Sequence, residues 1–363
     1  MKKVVLVAGG TGGHIMPAIS FGEWLVKNIP GVCVDYISGM RAMELDIYRS
    51  AGIFPHAISI EGSPLGAPKG MCIKRWRDML RSYSETRAIM KEIKPDLCVL
   101  FGGYVSVPAL FACLASGIRV VAHEQNAQAG RVTRLAHRLK VPVAAGWERC
   151  DPIHAKDFTY TGVPVRELAP MGRAQAADAL GLKGITGGQP IVVIMTGSLG
   201  SRLIRDKAAM LSEREDFKTW NFVVVTPEVK EPFKQAENFF CLPRRWDVAP
   251  LFALADLLVL RAGASTLTEA WAVDKPALVV PWRKASRDHQ MKNARAFAQI
   301  GKAAIWDENE EDLETLARKI MILYKTYATN ADCQDKRMYN ATEYICAKLW
   351  NMARAGDERG DLR

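Results

Sequence analysis

The chain has 363 residues, 49% hydrophobic and 24% charged, which fits a soluble globular protein too long for one ordinary domain. No apolar run approaches the roughly 18–20 residues needed to cross a bilayer. The eight cysteines are scattered without a C-x-x-C pair, against a zinc site or disulfide framework, and the net charge of +10 favours anionic partners: nucleotides, phospholipid headgroups or nucleic acid.

The first apolar run, VVLVA at 4–8, is too short for a signal-peptide core and leads straight into a glycine loop. It reads as a buried strand in a cytoplasmic protein. Further strands are expected at 32–38, 97–101 and 119–123, then at 191–196, 221–226, 257–261 and 277–281. Helical stretches separate most of them, the pattern of an α/β protein with parallel sheets.

The two halves repeat the same punctuation. VLVAGGTGGH is matched by VVIMTGSLGSR, PDLCVLFGGYVSVPAL by ADLLVLRAGASTLTEA, and VVAHEQNAQAG by LVVPWRKASRDHQ. Three landmarks in one order imply two doubly wound domains. Ligands of such sheets bind beyond the carboxyl ends of the strands, so two domains facing each other place six loops around one cleft. Gly162 and Pro164 interrupt the pattern, and the boundary is expected there, with domains at 1–163 and 164–340.

The glycine loop at 9–13 lacks both a Walker lysine and the G-x-G-x-x-G spacing. It is either a tight structural turn or an anion cradle at the start of a helix expected near Pro17. His14 follows it, and a neutral imidazole there can take a proton from a hydroxyl. Ser198 and Gly200 should open another helix N-terminus, suited to a diphosphate leaving group. Glu269 is expected within about the first turn after the small residues 262–266, where a carboxylate suits either a ribose or the helix dipole. Arg166 and Arg261 are phosphate candidates, or else surface ion pairs. HEQN at 123–126 and Asp288, His289 and Gln290 read as sugar-binding clusters. The histidines show no metal-ligand spacing, and no metal is expected.

In order along the chain, GGTGGH, GGYVSVPAL, HEQNAQAG, TGVPVR, GSLGSR, RAGASTLTEA and DHQMKNA resemble the MurG family from residue 4 to about 305. These are the N-acetylglucosaminyltransferases that convert lipid I to lipid II in bacterial peptidoglycan synthesis, and so serve cell shape and division. The resemblance implies a GT-B fold: two Rossmann-like domains, with residues 341–363 forming a helix that returns to the first domain plus a tail. It implies inverting transfer from UDP-GlcNAc to the C4 hydroxyl of undecaprenyl-diphospho-MurNAc-pentapeptide, without a cofactor. It places the donor in the second domain, with Glu269 on the ribose and Ser198, Ala264, Ser265 and Thr266 around the diphosphate. Arg166 would meet the nucleotide and Arg245 would lie near the uracil, while Gln290, His289 and Asn126 would face the sugar. Thr11, Gly12, Gly13 and His14 fall on the acceptor side, with His14 as first choice of general base and Glu124 as second.

The lipid acceptor gives the basic stretch 69–94 a purpose. Ile73, Trp76, Leu80 and Tyr83 fall at helical spacing, with Lys69, Lys74, Arg75, Arg77 and Arg81 beside them. That composition suits an anionic inner-leaflet surface on the cytoplasmic face, or else an ordinary core helix. The resemblance also implies work beside other cell-wall synthesis proteins. Several residues depart from the family: Thr196, Leu199, Val163, Thr133, RRWDV at 244–248 and Asp274. A related transferase with another lipid acceptor, a UDP-sugar epimerase and an inactive sugar-nucleotide-binding subunit are the alternatives. Nucleic acid is not expected, because no recognised motif accompanies the charge.

Overall fold

The computed structural model describes residues 2–63, 72–182, 184–185, 188–197, 200–283, 288–327 and 334–355. The chain divides into two compact units, Met1–Arg166 with Thr342–Arg363, and Glu167–Ala341.

The first unit is built on β1 (Lys2–Ala8), β2 (Val32–Ser38), β3 (His56–Ala57), β4 (Leu97–Gly102), β5 (Arg119–Glu124), β6 (Val143–Ala145) and β7 (Thr159–Tyr160). They form one sheet in the order β3-β2-β1-β4-β5-β6-β7, with every pairing parallel. Val4 to Ala8 and Cys98 to Phe101 are almost wholly buried. A parallel sheet covered on both faces buries both sides of its central strands, which is why these strands read as unbroken apolar runs. The connecting helices are α1 (Gly12–Asn28), α2 (Ala42–Ser50), α3 (Cys72–Ile93), α4 (Ser106–Ala115) and α5 (Arg131–Arg138).

The second unit has β8 (Ile191–Met195), β9 (Asn221–Thr226), β10 (Phe233–Ala236), β11 (Phe239–Pro243), β12 (Leu257–Leu260), β13 (Ala277–Val279) and β14 (Ala303–Ile305). Their order is β10-β11-β9-β8-β12-β13-β14, parallel except for the β10–β11 hairpin. Helix α6 (Arg173–Ala179) leads into β8, helices α7 (Arg202–Ser212), α8 (Ala249–Leu254), α9 (Ala264–Ala272) and α10 (His289–Ile300) lie between the strands, and α11 (Leu313–Tyr327) follows β14. One core cluster joins Phe217, Phe222 and Trp306 to Val259 and Leu278 of the sheet.

In both units the strand order reverses beside the first strand, between β1 and β4 and between β8 and β12. The loops beyond those strand ends are where such sheets hold ligands. The motif-bearing segments at 9–14, 102–106, 196–197, 200–201 and 261–266 fall there.

Helix α12 (Gln334–Arg354) closes the fold, and from Thr342 onward it belongs to the first unit. There Trp24 Nε1 donates to Glu343 Oε2 at 2.5 Å, and the Lys348 ammonium lies 5.0 Å over the Tyr160 ring.

Two helix starts differ from expectation. Helix α1 begins at Gly12 rather than near Pro17, so Pro17 lies inside it and His14 in its first turn. Helix α9 begins at Ala264 and has no acidic residue in its first turn, so Glu269 is a turn further in and is not a dipole charge.

β5 ends on His123 and Glu124, and His123 is buried. Burial pushes the His123 pKa down to about 4, outweighing the Gly162 carbonyl bonded to it. The folded state therefore holds a neutral ring, while the unfolded chain takes up a proton below the ordinary value of about 6.5. Stability attributable to His123 is complete above that value and falls as the pH drops toward 4. By linkage the loss between pH 7 and pH 5 is about 2 kcal/mol. Urea unfolding at the two pH values should show His123→Gln losing less stability than the parent by about that amount; equal losses would mean the ring is not held neutral.

Candidate functional site

At the end of β1 the chain turns through Gly9 and Gly10, the latter at φ +95°. Thr11 is extended and N-caps α1, so Gly12, Gly13 and His14 form the first turn, in which His14 N donates back to the Thr11 carbonyl at 3.1 Å. One amide of the glycine loop faces inward: Gly10 N donates to Glu44 Oε1 at 2.5 Å. Glu44 is fully buried and accepts a second bond at Oε1, from the Tyr104 hydroxyl at 2.6 Å. Burial, then Glu44 itself, raise the Tyr104 pKa far above the usual phenol range, so the hydroxyl keeps its proton. The Arg41 guanidinium lies 4.6 Å over the Tyr104 ring. The loop is thus a tight structural turn at Gly9 and Gly10 that runs directly into a helix N-terminus at Thr11.

The His14 ring lies against the turn after β4. A Cβ on Gly102, at φ +100°, would sit 3.1 Å from His14 Nδ1 and Cε1. His14 Nδ1 is 2.8 Å from Gln125 Oε1. Gln125 is itself buried beyond the end of β5, and its carbonyl accepts from Trp147 Nε1 at 2.8 Å.

Glu124 takes a different place from the one expected of a base. It is 3% exposed. Its Oε1 accepts from the backbone and side-chain nitrogens of Asn126, each at 3.0 Å. Its Oε2 accepts from Gly130 N at 2.7 Å and from the Thr133 hydroxyl at 2.5 Å. Four donors fill the carboxylate and tie the loop after β5 to the first turn of α5. Thr133, which departs from the family's Asn, supplies one of them. The HEQN segment is therefore not an open sugar-binding cluster: His123, Glu124 and Gln125 face inward, and Asn126 alone is half-exposed.

In the second unit, Gly197 and Gly200 have φ of +84° and +77°, and Ser201 caps α7 by accepting from Ile204 N. Ser198 and Leu199 lie outside the described residues. Arg261, just after β12, donates to the Ser201 hydroxyl at 2.7 Å and to the Val280 carbonyl at 3.2 Å, and pairs with Glu308 at 2.9 Å. It joins the loops after β8, β12, β13 and β14, a role beyond the surface ion pair weighed from sequence. Ala264, Ser265 and Thr266 form the first turn of α9. Glu269 is buried on the same helix. Asn293 of α10 donates to the Ala262 carbonyl at 3.0 Å, tying α10 to that turn.

His289 and Gln290 open α10, with Asp288 before them at φ +54°. Gln290 Oε1 accepts from Trp282 N at 2.8 Å, which turns the amide's NH2 group away from the strand end. Arg245 follows β11 and donates to the Ala179 carbonyl at 3.3 Å. Asp274, where the family has glycine, sits at φ +55° and bonds Lys302 at 2.7 Å; aspartate is among the few residues that tolerate this conformation. Among the described residues no group of His, Cys, Asp and Glu side chains converges as a metal site.

The structure thus collects Thr11 to His14, Gln125 and Asn126 at the carboxyl edge of the first sheet, and Arg166 is the last residue of that unit before the chain enters the second. It collects Ala264 to Thr266, Glu269, His289, Gln290 and Arg245 at the corresponding edge of the second. Reading the sequence missed Glu44 and Glu308, and took Gln125 only as part of the HEQN sugar cluster rather than as a partner of His14. Ile73, Trp76 and Leu80 of α3 are 86%, 50% and 67% exposed, because Met79, Ser82, Thr86 and Met90 form that helix's buried face. Arg75, half-buried, donates to the Ser63 carbonyl at 2.9 Å, and Arg81 pairs with Glu85 at 2.9 Å. Lys69 lies outside the described residues.

Residues 4–143 match the glycosyltransferase family 28 N-terminal domain and residues 191–345 its C-terminal domain. Two similar proteins are named UDP-N-acetylglucosamine--N-acetylmuramyl-(pentapeptide) pyrophosphoryl-undecaprenol N-acetylglucosamine transferase. That of Desulfitobacterium hafniense strain Y51 is 32% identical, covering 84% of this chain and 85% of its own. That of Halalkalibacterium halodurans is 31% identical, covering 85% and 86%. The crystal structure of Acinetobacter baumannii MurG superposes with a TM-score of 0.67 at 26% identity, over 97% of this chain and all 100% of the other. A UDP-GlcNAc 2-epimerase from Neisseria meningitidis, with a TM-score of 0.59 at 14% identity over 96% and 100%, shares the fold alone. The chain belongs to glycosyltransferase family 28 and, within it, to the MurG family, with the GT-B fold.

Proposed function

We propose that this chain transfers N-acetylglucosamine from UDP-GlcNAc to the C4 hydroxyl of an undecaprenyl-diphospho-MurNAc-pentapeptide, making lipid II for peptidoglycan. The observation that carries this reading is the 31–32% identity to transferases of that name over 84–85% of the chain. The first unit takes the lipid acceptor. Thr11, Gly12 and Gly13 offer helix-terminal N–H groups to its diphosphate, and His14 accepts the proton of the attacking hydroxyl. The acceptor oxygen forms its bond to the sugar C1 as the C1–O bond to the diphosphate breaks, and UDP leaves with the electron pair.

The second unit takes the donor. Ser198 and the first turns of α7 and α9, with Ala264, Ser265 and Thr266, stabilise charge on the departing diphosphate. Glu269 binds the ribose, Arg166 the nucleotide and Arg245 the uracil side. Gln290 and His289 of this unit meet the sugar hydroxyls, and Asn126 of the first unit is read as a sugar contact of its own. Glu124 is a positioning residue rather than the second base, because its oxygens are already filled. Incubation with UDP-GlcNAc and a lipid I analogue should give a product heavier by one N-acetylhexosamine, read by mass spectrometry. His14→Ala should lower kcat by about 10²–10⁴-fold with UDP affinity kept, whereas Glu269→Ala should raise the donor KM far more than it lowers kcat. Folded protein giving no such product, or the two variants exchanging effects, would contradict the assignment.

The exposed face of α3 supports peripheral attachment to the cytoplasmic face of the membrane. Ile73, Trp76 and Leu80 insert shallowly, while Lys74 and the neighbouring Arg77 and Arg81 meet anionic headgroups. No helix among the described residues is long and apolar enough to cross a membrane. Replacing Ile73, Trp76 and Leu80 together by serine should abolish sedimentation with phosphatidylglycerol vesicles. Turnover of a short-chain, water-soluble acceptor should stay at the parent level; vesicle binding that survives the triple change would contradict this surface.

A further inference from the structure

A directional chain of hydrogen bonds runs behind His14, and its polarity can be read atom by atom. It begins at the Gly162 carbonyl, which lies 2.9 Å from His123 Nε2. A carbonyl only accepts, so Nε2 of His123 carries the hydrogen. The ring is buried and neutral, with its pKa near 4, so His123 Nδ1 must bear a lone pair. Gln125 Nε2 lies 3.0 Å from that lone pair and 3.1 Å from the His123 carbonyl. Both are acceptors, which fixes the nitrogen of the amide on this side and its oxygen on the other; the reverse orientation would set oxygen against two acceptors. The amide oxygen then faces His14 Nδ1 at 2.8 Å. Nδ1 of neutral His14 must therefore carry the hydrogen, leaving the lone pair on Nε2.

The chain is rigid at each link. His123 and Gln125 are each 1% exposed, and the His123 ring packs 5.2 Å from the Phe101 ring. Gly162 sits at φ +88°, where a Cβ would lie 2.7 Å from Ile345 of α12, so the returning helix holds the carbonyl that starts the chain.

We infer that Gln125 and His123 are positioning residues that hold His14 in the Nδ1–H tautomer, so that Nε2 is the atom receiving the acceptor's proton. The part concerning turnover rests on the reading of His14 as general base; the tautomer itself does not. Free neutral imidazoles favour the opposite tautomer, so without this chain most His14 rings would carry hydrogen on the nitrogen that must accept it. Proton acceptance by a histidine depends on the ring nitrogen opposite the orienting partner, and the wrong tautomer is costly.

Long-range ¹⁵N–¹H correlation spectra of the ¹⁵N-histidine-labelled full chain, at alkaline pH with the His14 signals assigned by their loss in His14→Ala, test this directly. The parent should show a pyrrole-type Nδ1 and a pyridine-type Nε2 on His14. In Gln125→Leu the signals should move toward the Nε2–H form, and kcat should fall about ten- to a hundredfold with the UDP-GlcNAc KM unchanged. An Nε2–H tautomer in the parent would overturn the proposal whatever the variant does. A parent in the Nδ1–H form combined with undiminished kcat in a folded Gln125→Leu would also overturn it. Full turnover by His14→Ala would instead remove the base reading, and the parent spectrum would still decide the tautomer.

Discussion

Two backbone turns of the first unit come so close that the turn after β4 has no room for a side chain at Gly103, and the placement of His14 depends on that approach. A Cβ on Gly103 would lie 2.1 Å from the Gly9 carbonyl oxygen, and one on Gly102 would press on the His14 ring. Both residues have positive φ, the conformation that glycine enters without strain. Because the turns after β1 and β4 interlock, α1 starts immediately beyond them and His14 falls in its first turn. The buried Glu44 carboxylate secures the same place by bonding both Gly10 N and the Tyr104 hydroxyl. The result is a helix end with small residues at its tip and one imidazole fixed beside it.

The second unit solves the equivalent problem with charge rather than close backbone contact. Arg261 gathers the loops after four strands and is balanced by Glu308, each side chain being only slightly exposed. A guanidinium with directional donors can serve several partners at once, as a point-charge ammonium cannot. Its positive charge also lies beside Ser201 and the start of α7, where a departing diphosphate is proposed to sit.

The sequence showed the central strands clearly because burial on both faces writes them as unbroken apolar runs. The three-residue strands β6, β13 and β14 and the two-residue β3 and β7 carry too little pattern, and only β13 was recovered, inside a longer apolar run. Strand β10 of the hairpin was missed because FKQA is exposed throughout and shows no burial pattern. Pro17 drew the expected start of α1 too late. Ile73, Trp76 and Leu80 have the spacing of a core stripe, yet Met79, Thr86 and Met90 take the core; spacing alone does not say which face wins. Glu44 looks like an ordinary solvated charge in AMELDIYRS, and only the tertiary fold brings it under the glycine loop. The His14–Gln125 bond joins residues 111 apart in the chain, and no local pattern can foresee it. The HEQN motif was noticed, but its inward direction follows from β5 ending on buried residues.

The proposed reaction is a direct displacement: one base on the acceptor side, a stabilised leaving group on the donor side, and no enzyme nucleophile between the two events. Stereochemistry at the sugar C1 tests this most directly. The disaccharide made from UDP-GlcNAc, whose C1 is α-configured, should be purified and its H1–H2 coupling measured by NMR. A large diaxial coupling, the mark of a β linkage and a single inversion, is the predicted result. A small coupling, showing an α linkage and retention, would contradict the account.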